Sequence, residues 1–376
     1  MIRFGSLLFA AALVVVVGPV RAQEGEATSA SPAPPIAFRP AVEHVVDAVI
    51  VPAYGRLAAA AEDEKAAAEA LCAAPDATRL EAARAGFRDL VVAWSAVEMF
   101  RFGPARAANR YERLFFWPDP RGRGLQQVQA LIASSDPTAT RLDTLREKSV
   151  AVQGLLALEF VLFGTGSEVL AGTADPAAAF RCAYAATIAA AIAATAGEIA
   201  ADWTKSGGYA DLMRGAGPED PVYRSHGEVA QDLIKAAREQ LQLVRDLKLA
   251  ASIGETPETA QPKRAPFWRS DATLASVRAN LDAIVALVGA DGIGASLPAD
   301  KAWAARQVAF ELGRADAVLD RVAASGRPWE VLAAEPSANA DLRYTLIPLG
   351  DVLGLLETDY PDALGLITGF NSLDGD

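Results

Sequence analysis

The chain has 376 residues, 52% hydrophobic and 22% charged, with 47 acidic against 35 basic side chains and a formal net charge of −12. So much apolar material can bury a sizeable core and leaves room for two domains. The acidic balance argues against nucleic acid as a partner, because binding phosphate needs a basic footprint.

In chain order, the first element is MIRFGSLLFAAALVVVVGPVRAQ. Arg3 precedes an apolar run from Leu7 to Val17, and small residues follow at Val20 and Ala22. This is the pattern of a cleaved secretory signal over residues 1–22. The run is shorter than the roughly 20 residues of a membrane span, and no cysteine follows it to take a lipid. A periplasmic protein with no stable membrane span after cleavage is expected, with an uncleaved anchor as the alternative. Cleavage removes Arg3 and Arg21 but no acid, so the mature charge is −14. Residues 23–38, small, polar and proline-rich, read as a flexible leader.

From Pro40 onward the pattern is helical, rich in Ala, Leu, Glu and Arg with few β-branched alternations, which predicts an all-α protein. Helices are expected at about 40–61, 77–102, 125–134 and 137–163, with Gly103-Pro104 and Gly164 as stops. Asp175-Pro176 begins an alanine-rich helix to about residue 203, and Ser225 with Glu228 forms a capping box for the next. Residues 251–270 are too rich in Pro, Gly and Thr for a helix and too long for an ordinary bundle connection, a length often functional or disordered. Helices at about 272–288, 299–323 and 338–357 complete the chain. Two packed antiparallel helical bundles, residues 39–170 and 171–376, accommodate this order. Only Cys72 and Cys182 are present, and a disulfide between them suits an oxidising compartment, with two buried thiols as the alternative.

Glu159, in GLLALEFVLFG (154–164), is the only ionisable side chain between Lys148 and Glu168. A lone buried carboxylate costs several kcal/mol unless paired or protonated, so a partner from elsewhere is expected. A weak echo, AVEMFRFG (96–103) against ALEFVLFG (157–164), sets Glu98 and Glu159 at matching places. In an up-down-up-down bundle the two would lie at similar heights.

The Glu159 helix resembles the Gly-x-His-x-x-Glu motif of the imelysin family, with Gly154 and Glu159 matching and Leu156 at the histidine position. VDAVIVPAY (46–54), RFGPA (101–105), ERLFFWPDPRGRGLQQVQ (112–129), RAPFWRS (264–270) and GFNSLDGD (369–376) extend the likeness along nearly the whole mature chain. The resemblance implies two helical bundles with a candidate cleft between them, a suspected metal site, and a connection with iron uptake through components of the cell envelope. It also implies the family's older assignment as a metallopeptidase, for which the missing histidine is a departure.

A zinc peptidase needs two imidazoles and a carboxylate around an open position. This chain has only His44 and His226, neither with a histidine one turn away, and His226 follows a helix cap. Oxygen-rich iron binding would use Glu98 and Glu159, with His44, Glu43 and Asp47 able to contribute from the first helix. The architectural alternatives are an ion pair of Glu98 with Arg101 and a buried pairing of Glu159 with an arginine. Residues 100–124 carry Arg101, Arg106, Arg110, Arg113, Arg121 and Arg123 against Glu112 and Asp119, a local charge of +4. Arginine forks suit carboxylate or phosphate, and Trp117 adds a stacking surface. A small organic anion held by Arg101, Arg113, Arg121 and Arg123, with Trp117, Asp119, Glu98 and Glu159 around it, is therefore the second binding reading. Alternatively Arg113 or Arg101 only neutralises Glu159. No phosphate-cradling loop, dinucleotide loop or nucleophile elbow occurs.

Overall fold

The computed structural model describes residues 36–172 and 176–366. The signal segment, most of the leader, Asp175 and the terminal residues 367–376, with Asp374 and Asp376, lie outside the described residues. Among the described residues there are helices and no strand.

Pro40 sits in the first turn of Arg39–His44, where its missing N–H costs nothing, and this helix runs through a π-helical turn, Val45–Ile50, into α1 (Val51–Ala73). Asp76 caps α2 (Ala77–Ser95) by accepting from Arg79 N at 2.7 Å. Next come α3 (Arg123–Ser134), α4 (Leu155–Phe163) and α5 (Pro176–Thr204). Ser225 Oγ caps α6 (His226–Gln242) by accepting from Glu228 N, and a π-helical stretch, Leu243–Ala250, continues it. The remaining long helices are α7 (Thr273–Val288), α8 (Trp303–Ala323) and α9 (Pro336–Gly354).

Two of the expected helices are shorter in the structure. The helix expected to reach residue 102 stops at Ser95, where tight bonds from Val97 N to Trp94 O and from Phe100 N to Val97 O turn the chain. That expected at 137–163 is broken into Leu142–Arg146, two 3-10 turns and α4. Its carbonyls are taken by side chains: Gln153 Nε2 donates to Leu145 O, Lys148 O and Ser149 O, and Arg113 donates to Arg146 O. Backbone acceptors satisfied this way no longer reward a continuous helix.

One group of helices forms around α1, which packs against both α2 and α5. Both α1 and α5 bury alanines, Ala61 and Ala68 on one and Ala185, Ala189, Ala193 and Ala196 on the other, which lets the helices approach closely. The Cys72–Cys182 disulfide ties them, across a sequence separation of 110 residues. Although α5 begins beyond residue 170, its packing places it in this first group. In the second group α6 packs on α7, α7 on α8 and α8 on α9. The groups meet where α2 packs on α7, with Ser95 Oγ and Ser276 Oγ 2.8 Å apart.

Candidate functional site

Gly154 begins the site by necessity of space. A Cβ there would stand 2.6 Å from the carbonyl oxygens of Arg113 and Leu114, so only glycine lets that backbone pass over the start of α4. The other end of α4 is held by two arginines. Arg181, buried in α5, donates to Phe160 O, Val161 O and Thr165 O at 2.9 Å each and to Gly164 O at 3.4 Å. Arg84 of α2 donates to Leu162 O at 2.9 Å. Val161 O and Leu162 O, at the end of the helix, are thus satisfied by guanidinium groups, while Phe160 O and Gly164 O also accept from Gly164 N and Ser167 N. Burial lowers the pKa of Arg181 to about 10. Alone among charged residues from 176 to 197, it carried the same signal as Glu159.

Held at both ends, α4 turns Glu159 toward the long connection after residue 253. Glu159 Oε1 accepts from Arg269 N at 3.1 Å, Ser270 N at 3.0 Å and Ser270 Oγ at 2.9 Å, while Oε2 lies 4.0 Å from Arg269 Nη1. Burial raises the Glu159 pKa, opposed by the Arg269 charge and these bonds. The connection is ordered by its own contacts. Gln261 N bonds Ser252 O, Trp329 Nε1 donates to Pro262 O, and Arg88 Nε donates to Ser270 O. Phe267 adopts the left-handed region at φ 62°, and its buried ring stacks on Phe115 at 5.3 Å. That conformation costs roughly 1–2 kcal/mol in a non-glycine residue, which packing of a large ring can offset.

A cavity of about 550 Å³ opens beside Glu159. Its walls come from the turn at 116–124, from Leu156 and Phe160 of α4, from Leu247 and Ala251, and from 261–269, so it lies where the two helix groups meet. Phe116, Trp117, Phe267 and Trp268 make it aromatic, and Lys263, Arg264 and Arg269 make it basic. The Arg269 guanidinium lies 4.3 Å from the Trp268 ring centroid and 5.5 Å from that of Phe160. Among the described residues its side chain has no hydrogen-bond acceptor, and Glu159 Oε2 is the carboxylate oxygen in its ion pair.

Of the residues expected to bind a ligand, Trp117, Asp119 and Glu159 line this cavity. Asp119 is engaged at both oxygens, accepting from Arg123 N at 3.0 Å and Gly124 N at 2.7 Å, which starts α3. The arginines of 101–123 are not brought to it. Arg113 donates to Ala108 O, Arg146 O and Gln153 Oε1, Arg121 and Arg123 are exposed, and Arg101 lies over the Tyr111 ring. Neither Arg101 nor Arg113 neutralises Glu159, which instead meets Arg269, 110 residues further along the chain.

The expected metal set does not converge either. Glu98 is fully buried against Lys248, with Oε2 2.6 Å from Nζ, and forms no ion pair with Arg101. His44 is exposed, Glu43 pairs with Arg39, and Asp47 with Arg214. Among the described residues no three His, Cys, Asp or Glu side chains group to hold a metal ion. At the motif position itself the donors do not fit a metal: Glu159 Oε1 already accepts three hydrogen bonds, and Leu156 offers no lone pair. The residues missed from sequence, Lys263, Arg264, Trp268, Arg269 and Ser270, all lie in the long connection, whose length and RAPFWRS stretch were the available signal.

The fold and the chain have known relatives. A structure of an imelysin-like protein from Psychrobacter arcticum 273-4 superposes with a TM-score of 0.71 at 20% identity, covering 89% of this chain and 99% of that one. A putative iron-regulated protein A precursor from Parabacteroides distasonis ATCC 8503 gives 0.67 at 16% identity, covering 85% and 94%. In sequence the chain is 26% identical over 242 residues to "Iron-regulated protein A" of Synechococcus elongatus, a match spanning 64% of this chain but only 61% of that protein. The Imelysin family profile matches residues 50–345, well over half of the sequence, and the chain belongs to the imelysin family.

Proposed function

We propose that this protein is an exported, periplasmic binding component connected with iron acquisition, non-catalytic, whose cavity takes a small organic anion with a flat apolar body. The observation that carries this is Arg269, a guanidinium stacked on aromatic rings at the cavity wall, with no hydrogen-bond acceptor of its own among the described residues. Such a group recognises carboxylate bidentately while the rings take up the ligand's apolar face. Lys263 and Arg264 add positive charge to the same wall. Leu156 and the saturated Oε1 of Glu159 favour an organic anion over a bare ion. The iron connection rests on the family and on the names of the relatives; in this reading iron arrives as cargo, complexed by the anion, with envelope uptake components as partners. The name of one relative as a precursor supports export.

The test is titration of purified protein with 2,3-dihydroxybenzoate and, as the comparison that lacks a flat apolar body, with citrate, each alone and as its ferric complex, following tryptophan fluorescence and heat. Binding that weakens at least about tenfold in Arg269→Gln is expected, since a charge-assisted bond contributes about 1.5–3 kcal/mol. If ferrous, ferric or zinc ions bind instead, with stoichiometry abolished in Glu159→Gln, and the organic anions do not bind, the reading fails in favour of a metal site.

A further inference from the structure

A second polar cluster lies in the interior at the seam between the helix groups, and none of its four members lines the Glu159 cavity. It contains Trp94 at the end of α2, Glu98 and Arg101 in the turns that follow, and Tyr111. The Trp94 and Tyr111 ring centroids are 5.2 Å apart, and the Arg101 guanidinium sits 4.9 Å over the Tyr111 ring. Trp94, Glu98 and Tyr111 are each more than nine-tenths buried. Yet four buried polar atoms here have no protein partner: Trp94 Nε1, Glu98 Oε1, Arg101 Nη2 and Tyr111 Oη. Buried polar atoms in native interiors are as a rule hydrogen-bonded, and four without a partner on the side chains of one short stretch, residues 94–111, call for a specific explanation.

Charge narrows what they face. Glu98 Oε2 is spent on Lys248 Nζ and Asn280 Nδ2. Arg101 has no carboxylate within ion-pair distance, so after Glu98 and Lys248 cancel, one positive charge is left at the edge of a buried region. A buried charge calls for a counter-ion. Arg101 Nη2, Trp94 Nε1 and Tyr111 Oη can all donate, whereas Glu98 Oε1 only accepts. The complement to this set carries a single negative charge, at least three acceptor lone pairs and one hydrogen to give back.

We propose that the Trp94–Glu98–Arg101–Tyr111 cluster is an interior binding site for a small oxyanion bearing its own proton, with the charge and hydrogen-bonding pattern of hydrogencarbonate. Its negative oxygens accept from Arg101, Trp94 and Tyr111, and its hydroxyl donates to Glu98 Oε1. Phe115, 5.7 Å from Trp94 between ring centroids and 6.0 Å from Trp117, separates the site from the cavity by one layer of aromatic packing.

The experiment is calorimetric titration of the purified protein, degassed of carbon dioxide at pH 8 and constant ionic strength, with sodium hydrogencarbonate and with sodium nitrate. Nitrate matches the size and charge but has no hydrogen to donate. One hydrogencarbonate per chain is expected, with nitrate at least about tenfold weaker, as is usual when a charged acceptor is left unpaired. Tyr111→Phe, which deletes a single hydroxyl, should weaken hydrogencarbonate severalfold, and Arg101→Gln should abolish it, with circular dichroism confirming that each variant is folded. Arg269→Gln, in the outer cavity, should leave it unchanged. No binding by the wild type, equal binding of nitrate, undiminished binding in Tyr111→Phe, or loss in Arg269→Gln would each overturn the assignment. The first would leave these atoms to buried water, and the last would move the anion to the cavity, whatever the fate of the function proposed there.

Discussion

Glu64, on α1, is fully buried with neither carboxyl oxygen hydrogen-bonded, and α2 accommodates it through a glycine: a Cβ on Gly86 would lie 2.5 Å from Glu64 Oε2. Burial raises its pKa to about 9 from 4.5. Because the folded-state value is the higher one, the folded chain binds more protons than the unfolded chain across that window. Stability therefore falls as pH rises from about 4.5 and levels off above about 9. At about 1.4 kcal/mol per pH unit, the cost of keeping the acid protonated at pH 7 is roughly 3 kcal/mol. Glu64→Met, close in volume and without polar atoms, should remove it. Urea unfolding at pH 5, 7 and 9, followed by circular dichroism, should show the variant more stable than wild type by roughly 3 kcal/mol at pH 7, with the gap narrower at pH 5 and wider at pH 9. A stability difference independent of pH would show that Glu64 does not change its proton binding on folding, and would refute the reasoning.

The arginine at the end of α4 should be equally exposed to test. Arg181→Ala leaves Val161 O and Thr165 O without the guanidinium donor and takes a second donor from Phe160 O and Gly164 O, and a loss of about 3 kcal/mol in urea unfolding is expected, with Arg181→Lys intermediate because an ammonium cannot span them. Lys248→Met strands the buried Glu98 and should destabilise by about 3–5 kcal/mol, whereas the double variant Lys248→Met, Glu98→Leu should recover much of that loss, since burying neither charge avoids the desolvation that burying one imposes. A double variant no more stable than the single one would show that Glu98 is not the cause. Burial draws the Lys248 pKa down against the pull of Glu98, so the folded chain binds fewer protons at this site than the unfolded chain, and stability at this site rises with pH in the window just below the ordinary lysine value.

The residues themselves announced Glu159. A lone carboxylate on an apolar helix needs a partner, and it has one. The kind of partner is also legible, since an arginine stands beside it, but that arginine comes from outside the arginine-rich stretch 100–124. Arg101 and Arg113 belong to the arginine-rich stretch 100–124, yet the Arg101 guanidinium goes to the Tyr111 ring and that of Arg113 to backbone carbonyls, because the broken helix at 137–152 leaves an acceptor within its reach. Arg269 comes from a connection whose path depends on a left-handed Phe267, on Trp329 and on Arg88, and no local pattern encodes such a path. The echo between Glu98 and Glu159 likewise put two buried carboxylates in view, but Lys248, inside an amphipathic helical run, gave no sign that it was the one aimed at Glu98.

Local chemistry alone determined that the chain is all-α, that Gly164 ends one helix and Ser225 caps another, and that Glu159 would be paired, because helix propensity, capping and the cost of an isolated buried charge act over a few residues. The disulfide was compatible with the sequence, but its formation needed α1 and α5 side by side. Which arginine meets Glu159, which lysine meets Glu98, and that aromatic and basic side chains from three segments close around one cavity were decided only by tertiary packing. Those partners are brought together from more than a hundred residues apart by the burial of apolar helix faces, a force without direction that leaves no mark on the individual charges it carries inward.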